Sequence, residues 1–482
     1  MFEAKLHIRS AGVDARDGAV FERLSPVSGN PVTRAVAAGP RDAQDAANAA
    51  AAAFPIWHAM PNDEKRALMG RARDALIAHT EEFVEIAREE LGSTPDWIRF
   101  NVAIAADVFN EAMAIPDLVT GFEEVSERGG VRSTTIREPV GVVLAIAPWN
   151  AAVTLAVRAI VWPLACGNTV VFKGSELCPM LHSRIVDVLC EAGLPEGALT
   201  SVIHAPEMAE TVVDALAAHP AVRRINFTGS SRVGRRVAEI GARYLKPCLL
   251  ELSGKASLIV LEDADIEAAA LAATYGAYFN QGQICMTTER VVVVDEVADR
   301  FLAAMEAQCA DLLARRNGAK VGDLISADAA RRVGRLIDDA LARGATLVVG
   351  GEVSGAYVQP TLLDRVTPEM QIYSEESFGP IAAIVRVEDE AEAVSVANDT
   401  QYGLVASVFT ADEARGRAIA RRLETGVCHI NGPTVYDDPS KPYGGVKTSG
   451  YGRFGGTTAI QEFTELRWIT VQEPRSDYPF WT

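Results

Sequence analysis

Positive charge is scarce in this sequence: 46 Lys and Arg stand against 64 Asp and Glu in 482 residues, a net charge of −18. A surplus of that sign repels phosphate backbones and anionic lipid, so neither nucleic acid nor a membrane surface suits it as a partner. Long apolar runs are missing too. The most hydrophobic window, 140–166, is broken by Pro148, Asn150 and Arg158, and no stretch reaches the ~20 residues that span a bilayer. The seven cysteines, at 166, 178, 190, 248, 285, 309 and 428, are odd in number and widely spaced. That pattern builds neither a disulfide framework nor a zinc site. The seven histidines show no metal-ligand spacing, and the opening MFEAKLHIRSAG lacks the charged-then-apolar order of a signal peptide. The expectation is a cytoplasmic, reduced, metal-free chain, long enough for two or three domains.

What the sequence does contain is regular alternation. Residues 42–110 are Ala-rich with helical period, with breaks expected near Pro55, Pro61 and Pro95. A β-like stretch follows Gly129 and Gly130. Short β-branched runs then fall at 140–147, 169–172, 201–203, 222–227 and 247–252, with helical patterns at 152–165, 180–192, 207–218 and 231–244 between them. Strands separated by single helices predict βαβ units and a parallel sheet covered on both faces. A looser second series runs from 257 to 430, a Gly-rich stretch occupies 443–456, and 463–472 alternates like an edge strand.

Five segments carry candidate chemistry, each with a plainer alternative. FNQGQIC at 279–285 puts glycine and amide residues before Cys285. Such a backbone approaches a ligand closely and presents a thiol at a turn, although most cysteines are inert small hydrophobes. Glu251 ends the apolar run of LLELSGK at 249–255. At a strand's carboxyl end, desolvation raises a carboxyl group towards the range of a general base; the alternative is a carboxylate satisfied by backbone N–H groups. FTGSSRVG at 227–234, with Gly229 and Ser230, follows a strand and opens a helix, where N-terminal amides cradle pyrophosphate. It is not G-x-G-x-x-G. KGSE at 173–176 places Lys173 and Glu176 where they could hold a ribose diol, or simply form a solvated pair. PWN at 148–150 offers the Asn150 amide to a developing oxyanion, or as a helix cap.

In combination these segments resemble the aldehyde dehydrogenase superfamily. EESFGP at 375–380, Ile430-Asn431 and PYGGVKTSGYGRFGG at 442–456 extend the likeness, in the same order, from about Ser25 to Gln472. The resemblance implies an α/β fold with a Rossmann-like cofactor domain (1–120 and 140–252), an α/β catalytic domain (253–455) and a β-arm for oligomerisation (121–139 and 456–482). It implies Cys285 as nucleophile, Asn150 and the Cys285 N–H at the oxyanion, and Glu251 activating the hydrolytic water. Lys173 and Glu176 match positions that hold the adenosine ribose, Ser230 a pyrophosphate contact beside Gly229, and Glu376 with Phe378 the nicotinamide end. Trp149 matches a residue beside the cofactor, and Glu465 one used in proton relay. NAD is the cofactor expected, with NADP tolerated, and a homodimer or homotetramer is the expected assembly. The chain departs from the pattern at Gly174, Ser253 and Ala159, the last where many members carry Lys.

PWNAA, Arg158 and the 162–168 segment WPLACGN look most like the vanillin, salicylaldehyde and benzaldehyde dehydrogenase branch. There the residue matching Arg158 faces the substrate, where a guanidinium can donate to ring oxygens or stack on the ring; a surface ion pair is the alternative. Trp97 and Tyr443 are candidate aromatic walls. An aliphatic or semialdehyde dehydrogenase is the nearest competing expectation, and a non-catalytic protein on the same fold a further one. Glu251 disfavours a CoA-acylating enzyme.

Overall fold

The computed structural model describes residues 1–9, 11–128, 130–314 and 321–472; Gly129 and the 473–482 end of the expected arm lie outside them. The helices of the N-terminal region are Pro40–Ala59, Asn62–Ala78, Thr80–Leu91 and Pro95–Ala112. Breaks fall near Pro61 and Pro95, as expected, but Pro55 does not end its helix. Its ring is exposed, so the hydrogen bond it cannot donate is lost on the solvent side, while Ala43, Ala46, Ala47, Ala50, Ala53 and Trp57 keep the inner face packed.

Two α/β sheets follow, and the chain is mixed α/β as the pattern predicts. The first has the strand order Gly450–Tyr451, Cys248–Glu251, Val222–Thr228, Val142–Ile146, Thr169–Lys173, Leu199–Val202, Leu6–Ile8, Ala11–Val13. Its five central strands are parallel. From Val142–Ile146 the chain first builds outwards through Thr169–Lys173 and Leu199–Val202, then returns to the opposite side with Val222–Thr228. The order therefore reverses between Val142–Ile146 and Val222–Thr228, and ligands bind at such a reversal, outside the carboxyl ends of the strands. The second sheet runs Thr346–Val349, Thr361–Asp364, Ile381–Val387, Thr288–Val294, Ala256–Val260, Val405–Phe409, Val427–Ile430, parallel except for its first strand.

Between the first sheet and the N-terminal helices lies Ala152–Ala165, all of whose residues are buried. It packs into the largest apolar cluster with Trp57, Trp97, Phe109 and Phe172. The only charge in this helix is Arg158, an arrangement that needs a partner. The last feature is a three-stranded antiparallel sheet of Glu123–Arg128, Val131–Pro139 and Thr464–Gln472. After Thr464, every residue of its C-terminal strand is exposed.

Gly450 joins the two halves of the chain. Its strand adds antiparallel to Cys248–Glu251, with Gly450 opposite Glu251. A Cβ there would lie 2.0 Å from the Leu250 carbonyl oxygen, at a φ of +107°. Only glycine fits.

Candidate active site

The segment before Cys285 is folded tightly. Asn280, Gln281 and Gly282 take three successive left-handed conformations (φ 47°, 54° and 69°) after the Ile266–Tyr278 helix. Such a turn is costly for residues bearing a side chain and persists only where its surroundings fix it. Here Asn280 Nδ2 donates to the Asn150 carbonyl at 3.2 Å, and Gln283 Oε1 accepts from the Ile325 N–H at 2.9 Å. Gly254 closes the other side, since a Cβ would sit 2.4 Å from the Cys285 carbonyl oxygen. The loop after Glu251 is thereby pressed against the thiol's backbone.

Asn150 does not cap a helix. The N-cap of Ala152–Ala165 is Ala151, without a side-chain bond, and Asn150 Nδ2 instead donates to the Gln283 carbonyl at 3.0 Å. That bond uses one amide proton and leaves the second. Trp97 Nε1 donates to the Asn150 carbonyl at 2.8 Å, so Trp97 positions this residue as well as forming a wall. Glu251 is buried, and neither of its carboxylate oxygens has a hydrogen-bond partner among the described residues. The alternative of a carboxylate satisfied by backbone N–H groups therefore fails. Burial, partly offset by Arg158 and the Cys285 thiol, pushes its pKa up to about 7. Burial and Glu251 also drive the Cys285 thiol well up, while Tyr443 and Arg158 pull it down.

Arg158 forms an ion pair, but not at the surface: Asp437 meets its Nη2, and the two side chains are only 7% and 8% exposed. Its guanidinium carbon lies 4.9 Å from the centre of the Tyr443 ring. Trp97, Phe100, Ile104, Arg158 and Tyr443 line a narrow cavity of about 40 Å³, with Asn150 and Cys285 also on its lining.

On the cofactor side, Lys173 Nζ and Glu176 Oε2 are 3.8 Å apart at the end of their strand, largely buried rather than solvated. His204, at the end of the neighbouring strand, is fully buried and its Nε2 has no partner among the described residues. Ser230 caps the Ser231–Arg243 helix through Val233 N at 3.3 Å, immediately after Gly229. Glu376 Oε1 accepts from Gly254 N at 3.1 Å, and burial raises its pKa to about 7. Phe378 takes a φ of 44° and meets the Trp149 ring edge-on at 5.8 Å.

Two features escaped the sequence reading. Asp437 lies 279 residues from Arg158 in the chain, and nothing local marks it. Lys255 ends the LLELSGK run with nothing local to mark a role, yet its buried ammonium binds Glu289 at 2.8 Å and the Glu375 carbonyl at 2.6 Å. Glu289 in turn accepts from the backbone N–H groups of Ser377 and Phe378. The pair thus fixes the 375–378 loop. Glu465, by contrast, sits at the root of the arm with Arg224 at 3.9 Å, and no described contact links it to Glu251.

A thiol, a buried carboxyl group and a side-chain amide converge beside a doubly wound sheet, the groups that an acyl-transferring dehydrogenase needs. The Aldehyde dehydrogenase family profile matches residues 13–469, and the chain belongs to that family: it is an oxidoreductase acting on aldehydes. It is 50% identical to a vanillin dehydrogenase of Pseudomonas fluorescens over 482 residues, covering 99% of this chain and 100% of that protein. It is 43% identical to a salicylaldehyde dehydrogenase of Pseudomonas putida, with the same coverage. The crystal structure of a salicylaldehyde dehydrogenase from Pseudomonas putida G7, complexed with salicylaldehyde, superimposes with a TM-score of 0.95 at 42% identity, covering all of both chains.

Proposed function

We propose that this protein oxidises an aromatic aldehyde of the vanillin, salicylaldehyde or benzaldehyde type to its carboxylic acid, with NAD as cofactor. The observation that carries the reading is the aromatic-walled pocket that ends on Cys285 and Asn150 and holds a buried guanidinium in its wall. Cys285 attacks the aldehyde carbon as a thiolate, and the resulting oxyanion accepts hydrogen bonds from the second Asn150 amide proton and the Cys285 N–H. The nicotinamide, when bound, supplies the hydride acceptor that converts the thiohemiacetal into a thioester. Glu251, buried beside the thiol and with a pKa near neutrality, takes a proton from the water that hydrolyses the thioester.

The residues at the strand ends suit NAD. Lys173 and the half-buried Glu176 sit beside His204, whose buried Nε2 has no partner among the described residues, and a ribose and its base would give that nitrogen one. Glu176 accepts from ribose hydroxyls and repels a 2′-phosphate. Gly229 and Ser230 lie where a helix N-terminus receives pyrophosphate; Glu376, Phe378 and Trp149 border the nicotinamide end. On this reading 1–120 and 140–252 form the cofactor domain, 253–455 the catalytic domain, and 121–139 with 456–482 the arm. The arm exposes Val125, Leu466, Trp468 and Val471, and a second copy of the chain would cover it, giving a dimer or a pair of dimers.

The test is NADH formation with vanillin, salicylaldehyde, benzaldehyde, hexanal and succinic semialdehyde, with each nicotinamide cofactor. Aromatic aldehydes bearing ring oxygens should give the highest kcat/KM, Arg158→Ala should lose more with these than with benzaldehyde, and Cys285→Ala should lose turnover while still binding NAD. If hexanal or succinic semialdehyde wins outright, the substrate is aliphatic and the aromatic reading is wrong.

A further inference from the structure

Tyr443 comes from the far end of the chain and is fixed by reciprocal backbone bonds with Phe454, N–H to carbonyl, at 2.8 and 2.9 Å. Its ring lies against the Arg158 guanidinium, and its hydroxyl is 3.5 Å from Cys285 Sγ. A phenylalanine would make the same ring contact with Arg158 and keep the same backbone bridge. What the tyrosine adds is one oxygen, and the thiol is its hydrogen-bond partner.

We infer that Tyr443 is a catalytic residue whose hydroxyl donates a hydrogen bond to the Cys285 thiolate and holds the nucleophile in its reactive state. The inference rests on the reading of Cys285 as nucleophile given above. An O–H donor to an ionised acceptor is the stronger kind of hydrogen bond, and it favours the charged form of the acceptor. The groups facing Cys285 show why such help is needed. Glu251 opposes a second negative charge beside it, and the cation at hand, Arg158, is already paired with Asp437. Tyr443 thus supplies stabilisation that adds no net charge to a crowded site. It remains a donor throughout, because burial, with Cys285 and Glu251 adjacent, drives its own ionisation well above the ordinary phenol range. Once the sulfur has bonded to the aldehyde carbon its negative charge is gone, so the bond weakens as the reaction proceeds and assists the attacking state.

The experiment measures carbamidomethylation of Cys285 by iodoacetamide across pH in the full-length protein, read by peptide mass spectrometry, for the wild type and Tyr443→Phe. Only the thiolate reacts, so the midpoint of the rate profile reports thiol acidity independently of turnover. A charge-assisted bond of this type corresponds to a shift of about 1–2 pH units, so the Phe variant should titrate that much higher and react roughly tenfold or more slowly near neutrality. Replacing Tyr443 with 3-fluorotyrosine, a stronger donor of nearly the same shape, should move the midpoint down, and this arm stands even if the Phe variant does not fold. A merely structural tyrosine would alter KM for aldehydes and leave both midpoints within a few tenths of a unit of wild type; that result overturns the inference. Turnover by Cys285→Ala would instead sink the nucleophile assignment, which the alkylation profiles do not test.

Discussion

Replacing Glu251 with Gln should change the pH dependence of stability in a direction that the structure fixes. The side chain is fully buried, no backbone N–H among the described residues reaches either oxygen, and its pKa rises from 4.5 to about 7, chiefly through desolvation. The folded state therefore holds this proton more tightly than the unfolded chain. That stabilisation is complete below the unfolded pKa of 4.5 and is lost as the pH climbs through about 7. A shift of about 2.5 units, at 1.36 kcal/mol each, makes the loss about 3 kcal/mol. Gln has nearly the same volume and no proton to lose. Glu90 and Glu376, each also raised to about 7 by burial, are present in both proteins and cancel in the comparison. The stability of Glu251→Gln relative to wild type should then improve by up to about 3 kcal/mol between about pH 4.5 and about pH 8, read from urea unfolding midpoints of the two proteins in matched buffers. The same variant should release NADH as a stoichiometric burst followed by near-arrest, because acylation survives and deacylation does not. A stability difference that stays flat across this range, or favours wild type at high pH, would show that Glu251 is already ionised in the folded protein and would refute the desolvation argument.

Lys255→Met leaves Glu289 buried without its counter-ion, held only by the Ser377 and Phe378 hydrogen bonds, at a cost of about 3–5 kcal/mol. Thermal unfolding should show that loss, and NAD affinity should fall with it because the loop carrying Glu376 and Phe378 is released. Trp468→Asp on the exposed arm should shift the protein towards monomer in sedimentation velocity while leaving the circular dichroism spectrum intact; an unchanged sedimentation coefficient would mean that the arm does not assemble the oligomer. Glu176→Gln should narrow the ratio of kcat/KM for NAD over NADP by roughly tenfold, the scale of one lost like-charge repulsion, and a ratio that stays put would remove Glu176 from cofactor choice.

The strands of the first sheet were legible because each is a short β-branched run between helical segments, and periodicity survives any tertiary context. The boundaries moved by a residue or two: 247–252 became Cys248–Glu251, and 201–203 became Leu199–Val202. Proline misled at position 55, since the rule that it breaks helices assumes that the lost bond must be made elsewhere, and on an exposed helix face water can supply it. The candidate site was legible as motifs at strand ends, but its electrostatics were not. That Arg158 is neutralised by Asp437, that Glu251 is buried beside the Cys285 thiol and that Lys255 serves the 375–378 loop are facts about residues far apart in the chain, and composition and spacing carry no record of such pairs. The Tyr443 hydroxyl is the same kind of case. The sequence shows an aromatic residue among glycines, and only the fold shows which atom its oxygen meets.

The strand at Gly450–Tyr451 bears on how the enzyme is made. Its partner, Leu250–Glu251, leaves the ribosome on the order of 200 residues earlier. Until the last stretch of chain emerges, the first sheet lacks its edge strand, Tyr443 is not beside the sulfur and Asp437 is not beside Arg158. From the synthesis of residue 285 until that of residue 443, a nascent chain therefore carries Cys285 without its tyrosine neighbour. On the proposed reading the nucleophile is completed only when translation is nearly finished, and a chain cut short before residue 443 lacks the tyrosine hydroxyl that meets Cys285.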